Sequence, residues 1–296
     1  MVQRPAVRQR TTGRYRLADK VVSRMGYGAM QLAGDGVFGP PRDRDEAIAV
    51  LRAAVEAGVD HIDTAQYYGP GVVNELIREA LHPYPDGLAL VSKVAARRDD
   101  SGAVLPFDEP DQLRTGIEDN LTTLGVDRLT AVNLRVMDNA VPDARFVDQL
   151  GALVTARDEG LIGGIGISNV TREHLLRALA VTEIVCVQNF FNLADRNSLP
   201  IVHECGARDI AFVPFCPLGF PRTQRDAILT NPVVTAVAAR HGATAAQVAL
   251  AWLLAIAPNV LLIPGTRTRG HLAENVGACR LWLSDRDIVS LNEEFG

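Results

Sequence analysis

Lysine is nearly absent from this chain. Of 30 basic side chains among 296 residues, only Lys20 and Lys93 are lysine and the rest are arginine. A lysine kept in such a background points to work a planar guanidinium does poorly, such as holding a compact ammonium against a neighbour whose proton it tunes. Cysteine is scarce too: Cys186, Cys205, Cys216 and Cys279 show no CxxC spacing. That excludes a disulfide framework and a cysteine zinc site, and leaves them as small buried apolar groups. No apolar run reaches the roughly 18–20 residues of a membrane-spanning helix, and no signal-peptide core follows the arginine-rich start. A cytoplasmic protein with no membrane partner is expected. The histidines form no HExxH pair and the acids no cluster, so no metal is expected. What remains, 47% hydrophobic and 22% charged residues without a biased tract, is a globular chain with a sizeable core.

The formal charge of −5 is unevenly spread, because Arg4, Arg8, Arg10, Arg14 and Arg16 precede the first acidic residue. The body is therefore more acidic than the total, which disfavours nucleic acid as a partner. The start lacks interleaved aromatics and reads as a flexible basic arm over residues 1–14, ahead of a single domain over 15–296. A monomer or weak homo-oligomer is expected.

After a small hairpin around Ala18-Asp19-Lys20, short apolar strands alternate with helical stretches. The strands read at 25–28, 59–63, 88–93, 129–135, 164–168, 184–188, 210–215 and 260–263. Between and after them, helical spacing runs over 43–57, 73–81, 110–124, 144–159, a segment opened by Thr171, 197–207, 232–241, 245–255 and 269–278. Strict alternation implies parallel strands with right-handed crossovers, and eight units over about 250 residues fit an α/β (β/α)8 TIM barrel. A doubly wound open sheet with an appended domain is the alternative. It would carry a GxGxxG turn after its first strand, and Gly26-Tyr27-Gly28 lacks the third glycine.

Barrel chemistry sits at the C-terminal strand ends. Those ends hold Gly28-Ala29-Met30, Asp63 with Tyr67 and Tyr68 beyond it, Lys93, Asn133 with Arg135, Ser168-Asn169, Gln188-Asn189, Phe215, and Pro264-Gly265-Thr266-Arg267. Asp63, Tyr68 and Lys93 have a joint chemistry. An ammonium beside a phenol favours the phenolate and lowers its pKa, while a carboxylate keeps the ammonium charged and oriented. Such a tyrosine gives its proton to a carbonyl oxygen as hydride reaches the carbon.

Asp63-Thr64-Ala65-Gln66-Tyr67-Tyr68-Gly69 resembles the DTAxxYG signature of the aldo-keto reductase superfamily, and this resemblance assigns the catalytic tyrosine to Tyr68. Val91-Ser92-Lys93-Val94 resembles its lysine strand, Gly166-Ile167-Ser168-Asn169 its GxSN segment, and Ile263-Pro264-Gly265-Thr266 with Leu272, Glu274 and Asn275 its C-terminal cofactor motif. The motifs run in family order over nearly the whole chain. The resemblance implies a barrel that binds NADPH without a Rossmann domain and reduces aldehydes or ketones.

One position departs from the family. Counting on from Leu124-Gly125-Val126-Asp127 puts Arg135 where a histidine is usual. Asn133 and Arg135 face the same way in a strand. Asn133 is expected to donate to a substrate carbonyl and Arg135 either to hold an anionic substrate group or to pair with Asp138. The Asn-Leu-Arg segment and the stretch from Leu32 to Arg44 are similar to a bacterial subgroup, the pyridoxal reductases, which implies a pyridoxal-like aromatic aldehyde as substrate.

For the cofactor, Phe215 resembles the family's nicotinamide-stacking aromatic, and Ser168, Asn169 and Gln188 resemble its carboxamide ligands. Gly28, Ala29, Met30, Pro217 and Leu218 would border the same site. Thr266, Arg267 and Arg269 fall at a helix N-terminus, where backbone N–H groups favour a phosphate, so NADPH/NADP+ is expected over NADH. His271 would cap the adenosine site, although Gly265 replaces the lysine many relatives carry. Phe38, Tyr67, Phe190, Phe191 and Phe220 are expected to wall the substrate pocket. Two alternatives stay open: a reductase tailoring ketones or imines in secondary metabolism, and a weakly catalytic NADP(H)-binding regulatory barrel, motivated by the missing histidine.

Overall fold

The computed structural model describes residues 13–137 and 141–296. Residues 1–12 of the expected arm, and Asp138 as a partner for Arg135, lie outside these. Arg14, expected in the arm, instead opens strand β1, where its guanidinium pairs with Asp60 at 2.7 Å.

Strands β1 (Arg14–Leu17) and β2 (Lys20–Ser23) form the antiparallel hairpin. The barrel is built from β3 (Tyr27–Gly28), β4 (His61–Asp63), β5 (Ala89–Arg98), β7 (Ala131–Arg135), β8 (Ile165–Ser168), β9 (Cys186–Phe190) and β10 (Ala211–Phe215), parallel neighbours in that order. The eighth expected strand, 260–263, is paired by isolated bridges on both sides. Leu261 donates to Phe212 O and Leu262 to Arg24 O, each at 2.8 Å, and Gly26 donates back to Leu262 O at 2.8 Å. These bonds close the circle, so the (β/α)8 barrel stands and the open-sheet alternative falls.

Alternation along the strands sorts the side chains. Ala89, Val91, Ala131, Cys186, Ala211, Val213, Leu261 and Ile263 point inward and form one cluster with Leu17 and Val22 of the hairpin. The hairpin thus plugs the N-terminal end of the barrel, with each buried aliphatic side chain contributing about 1.5–3 kcal/mol. Lys20, the other lysine, fastens the plug by donating to Leu88 O at 3.0 Å.

The helices begin and end where the sequence says they should. Helix α1 (Arg44–Glu56) is capped by Asp43, whose carboxylate accepts from Glu46 N. Helix α2 covers Val72–Leu81. Helix α3 (Pro110–Leu124) has Pro110 at its start, a Glu109/Gln112 capping box and a left-handed Gly125 at its end. Helices α4 (Ala144–Asp158), α5 (Arg172–Leu179) and α6 (Leu199–Gly206) follow β7, β8 and β9. Beyond β10 come α7 (Arg222–Leu229), α8 (Pro232–His241), α9 (Ala245–Ile256), α10 (Arg269–Gly277) and α11 (Asp285–Phe295). The sequence reading omitted α7 and α11.

It also stopped β5 at Lys93. The strand runs on to Arg98 and turns back as an antiparallel partner, β6 (Val104–Phe107). Ala95 takes φ 84°, and a left-handed residue inside a strand bends it. The Ala-Ala-Arg-Arg tail carries no apolar alternation, because this hairpin leaves the barrel and stands over its mouth.

Candidate active site

Asp63 ends β4 and Lys93 lies within the adjacent strand β5, and both are about 4% exposed. The ammonium is bonded directly to Asp63 Oδ1 and donates to Thr64 O at 3.0 Å. Gln188, also buried, donates to Asp63 Oδ2 at 2.7 Å. Tyr68 lies just beyond β4 with its ring 5.0 Å from Lys93 Nζ and 5.2 Å from the ring of Tyr67. The expected trio is therefore assembled at the C-terminal mouth.

Residues missed by sequence reading hold it in place. Thr64 and Ser92, which point away from the barrel interior, join one buried network: Thr64 Oγ1 donates to Asn74 Oδ1 at 2.7 Å, and both Asn74 and Ser92 donate to Asn120 Oδ1. Their signal was present, since Thr64 and Ser92 sit inside the very motifs that carry Asp63 and Lys93. Arg98 of the β5 extension donates to Tyr67 O at 3.1 Å and bonds Gly102 O. Phe38 lies against Gly102, so the expected rim loop and the β5–β6 hairpin form one wall.

The expected lowering of the Tyr68 pKa is reversed. Burial raises it well above 10, the Asp63 carboxylate adds to the rise, and Arg135 and Arg98 offset only part. The physical reason is that Lys93 is neutralised by Asp63 and sits against the ring face, so its charge does not act alone. Tyr68 is a neutral phenol here, which is the state a proton donor requires. Burial likewise pushes Tyr67 up to about 12.

Asn133 and Arg135 separate. Asn133 is fully buried level with Lys93, its register partner, with Oδ1 3.3 Å from Cys186 Sγ and its Nδ2 without a partner. Arg135 is half-buried, its guanidinium carbon 6.0 Å from the centre of the Tyr67 ring. Its Nε and the Tyr67 hydroxyl are buried without a hydrogen bond of good geometry, although the guanidinium is near enough to the phenol to offset part of the effect of burial on the Tyr67 pKa. Among the described residues no carboxylate lies within ion-pair distance of it.

Of the expected pocket walls, Phe190 meets Phe215, the expected nicotinamide-stacking aromatic, edge to face at 5.6 Å. Phe38 and Phe220 are exposed at the rim. Phe191 is not a wall: it is fully buried between Phe212 and Trp252, on the helix side of the sheet. Strand alternation separates it from Phe190.

Along the expected dinucleotide path, Gly28 passes so close to the eighth strand that a Cβ would lie 2.4 Å from Ile263 O, and one on Gly265 would lie 2.6 Å from Gly28 O. Ala29 is buried and Met30 half-buried beside this crossing. Ser168 pairs in register with both Arg135 and Gln188, and Asn169 takes φ 60° and donates to Val136 O. Pro217 is buried and Leu218 packs on the core below Phe215. At the far end, Tyr27 donates to Thr266 O, Arg267 donates to Gln31 O at 2.7 Å, and Thr268 caps α10. Pro264 is buried, His271 is exposed, Glu274 O accepts from Gln247, and Asn275 is buried. Gln188 Oε1 is buried and unpartnered. An open acceptor at the centre and an N-terminal helix turn flanked by arginines suit an amide head and a phosphate tail, so the residues present fit a nicotinamide dinucleotide.

Residues 24–293 match the aldo/keto reductase family. The chain is an aldo/keto reductase. It is 47% identical to pyridoxine 4-dehydrogenase of Escherichia coli over 94% of this chain and 96% of that protein. It is 35% identical to an uncharacterised oxidoreductase of Schizosaccharomyces pombe over 98% of this chain and 92% of the other. Among solved structures, a thermostable aldo-keto reductase bound to the inhibitor epalrestat superposes with a TM-score of 0.81 at 28% identity, covering 95% of this chain and 99% of that one. An aldo/keto reductase of Klebsiella pneumoniae in complex with NADP and acetate gives 0.80 at 25% identity, covering 95% of each. This aldo/keto reductase is an NADP-dependent oxidoreductase acting on carbonyl groups. No described helix is long and apolar enough to cross a membrane, and no group of metal-ligating side chains occurs among the described residues.

Proposed function

We propose that this aldo/keto reductase reduces a pyridoxal-like aromatic aldehyde to its primary alcohol, with Tyr68 as proton donor and Arg135 as the residue that selects the substrate. The observation that carries the reading is the pair of buried, unpartnered polar atoms beside Tyr68, Arg135 Nε and the Tyr67 hydroxyl. Such groups are costly unless a ligand satisfies them. An aromatic aldehyde with an ionised ring oxygen next to the carbonyl, as pyridoxal has, would meet both while its carbonyl oxygen faces the Tyr68 hydroxyl. The likeness to pyridoxine 4-dehydrogenase supports the same substrate class.

Reduced nicotinamide supplies a hydride when bound. Tyr68 gives its proton to the carbonyl oxygen as the carbonyl carbon accepts that hydride, and the phenolate then recovers a proton from water. Lys93, held by Asp63, stabilises the transient phenolate across the ring. Phe190 walls the aldehyde and excludes water, and Phe215 beside it would stack on the nicotinamide. Ser168, Asn169 and Gln188 orient the nicotinamide amide, and the first turn of α10 with Arg267 and Arg269 takes the adenosine phosphate.

The test follows NADPH consumption with pyridoxal and with a neutral aromatic aldehyde of similar size. Arg135→Met should raise KM for pyridoxal about 10- to 100-fold, the weight of a hydrogen bond to a charged group, and leave the neutral aldehyde nearly unchanged. Equal losses on both would sink the assignment.

A further inference from the structure

The arginines at the start of α10 are not idle. Glu46, in the first turn of α1, reaches across to Arg269: Oε1 accepts from the Arg269 backbone N–H at 3.2 Å and from its Nε at 3.3 Å, and Oε2 lies 3.1 Å from Nη2. The carboxylate therefore takes a helix N-terminal amide and the two-pronged edge of a guanidinium together. Those are the donors a phosphate prefers, with the same fork geometry. Glu46 itself is fixed by its place in the helix, since Asp43 caps the Glu46 amide at 2.9 Å. Its side chain is 27% exposed, so a soluble anion can compete with it.

We infer that Glu46 sets the preference between phosphorylated and unphosphorylated dinucleotides, as an internal anion that a 2′-phosphate must displace from Arg269. This rests on the placement of the adenosine phosphate at α10 made above. With NADP(H), the phosphate takes the guanidinium and the displaced carboxylate is left beside it as an unpaired like charge. With NAD(H), the carboxylate stays on Arg269 and its free lone pairs accept from the ribose 2′-hydroxyl. The residue thus narrows the gap between the two cofactors. Arg267 does not play this part: its Nε is bonded to the Gln31 carbonyl, and the carboxylate nearest it, Asp35 at 3.7 Å from Nη1, is already paired with Arg42.

Calorimetric titration of NADP+ and NAD+ into wild-type protein and Glu46→Gln, without substrate, tests the inference. Removing the charge should tighten NADP+ about two- to fivefold, the range for one charge at a helix N-terminus, while NAD+ binding stays level or weakens. The gain should shrink as salt rises. An unchanged or smaller preference for NADP+ in Glu46→Gln overturns the role of Glu46. An Arg269→Met protein that binds NADP+ as tightly as wild type overturns the phosphate placement, and the inference with it.

Discussion

Two arginines at opposite ends of the barrel show how differently the ends are made. Arg24, at the floor beside the hairpin, is 3% exposed and donates to the carbonyls of Val260 at 3.1 Å, Leu254 at 2.7 Å and Ala257 at 2.6 Å. Two of these belong to the end of α9, whose last carbonyls have no partner of their own. Burial lowers the Arg24 pKa to about 10, and the three carbonyls hold its charge in place. Arg135, at the mouth, keeps Nε buried with no partner. The floor satisfies its polar groups because it carries only stability. The mouth leaves Arg135, Tyr67, Asn133 and Gln188 with open valences, and in a native structure such groups call for an explanation by ligand or role. The floor has two exceptions, Asn259 Oδ1 and the ring nitrogens of His61, of which Nδ1 lies 3.9 Å from Asp60 Oδ1. The His61 imidazole is held by packing on Gly26, where a Cβ would come within 2.1 Å of Nε2.

The two ends are divided in this way only if a change at one leaves the property of the other untouched. The largest effect is expected at the mouth: Tyr68→Phe should lower kcat by about 10² to 10⁴ while NADP+ affinity and the urea midpoint stay near wild type. Retained turnover would remove Tyr68 as proton donor and favour a different acid. At the floor, Arg24→Met takes a donor from three buried carbonyls, leaving only that of Ala257 another, the Val260 amide, and should cost about 2–4 kcal/mol of unfolding free energy, measured by urea titration, with little change in kcat at temperatures where the protein stays folded. A variant that is equally stable but slow would reverse the division. The smallest effect is alkaline. Tyr67 and Tyr68 have folded pKa values raised by burial, so their contribution to stability is intact below about pH 10, the unfolded tyrosine value, and is lost as pH rises towards the folded values, about 12 for Tyr67. Tyr67→Phe should flatten that decline, and an unaltered decline would show that the phenols of the mouth do not carry it.

Residues joined by spacing were legible, and residues joined by contact were not. Asp63, Tyr68 and Lys93 could be placed at strand ends because each follows a short apolar run, and the two-lysine count marked Lys93 before any geometry was known. Phe191 was misplaced for the lack of one residue of register, since neighbours in a strand face opposite sides. The Arg97-Arg98 extension escaped notice because a strand that leaves the core has no reason to alternate apolar and polar side chains. The direction of the Tyr68 shift could not be read either. Proximity to an ammonium is visible in a motif, but its neutralisation by Asp63 and the depth of burial are not.

By itself the sequence determined eight alternating strand–helix units, hence a parallel barrel, and the residue types gathered at one end of it. Those follow from short-range physics: periodicity, caps and the inward or outward sense of each strand position. Tertiary structure alone decided that Asn133 is fully buried against Cys186, that Glu46 of α1 takes hold of Arg269 of α10, and that Arg24 is satisfied where Arg135 is left open. Hydrogen-bond satisfaction depends on which carbonyls and carboxylates arrive from distant parts of the chain, and no local pattern encodes their arrival.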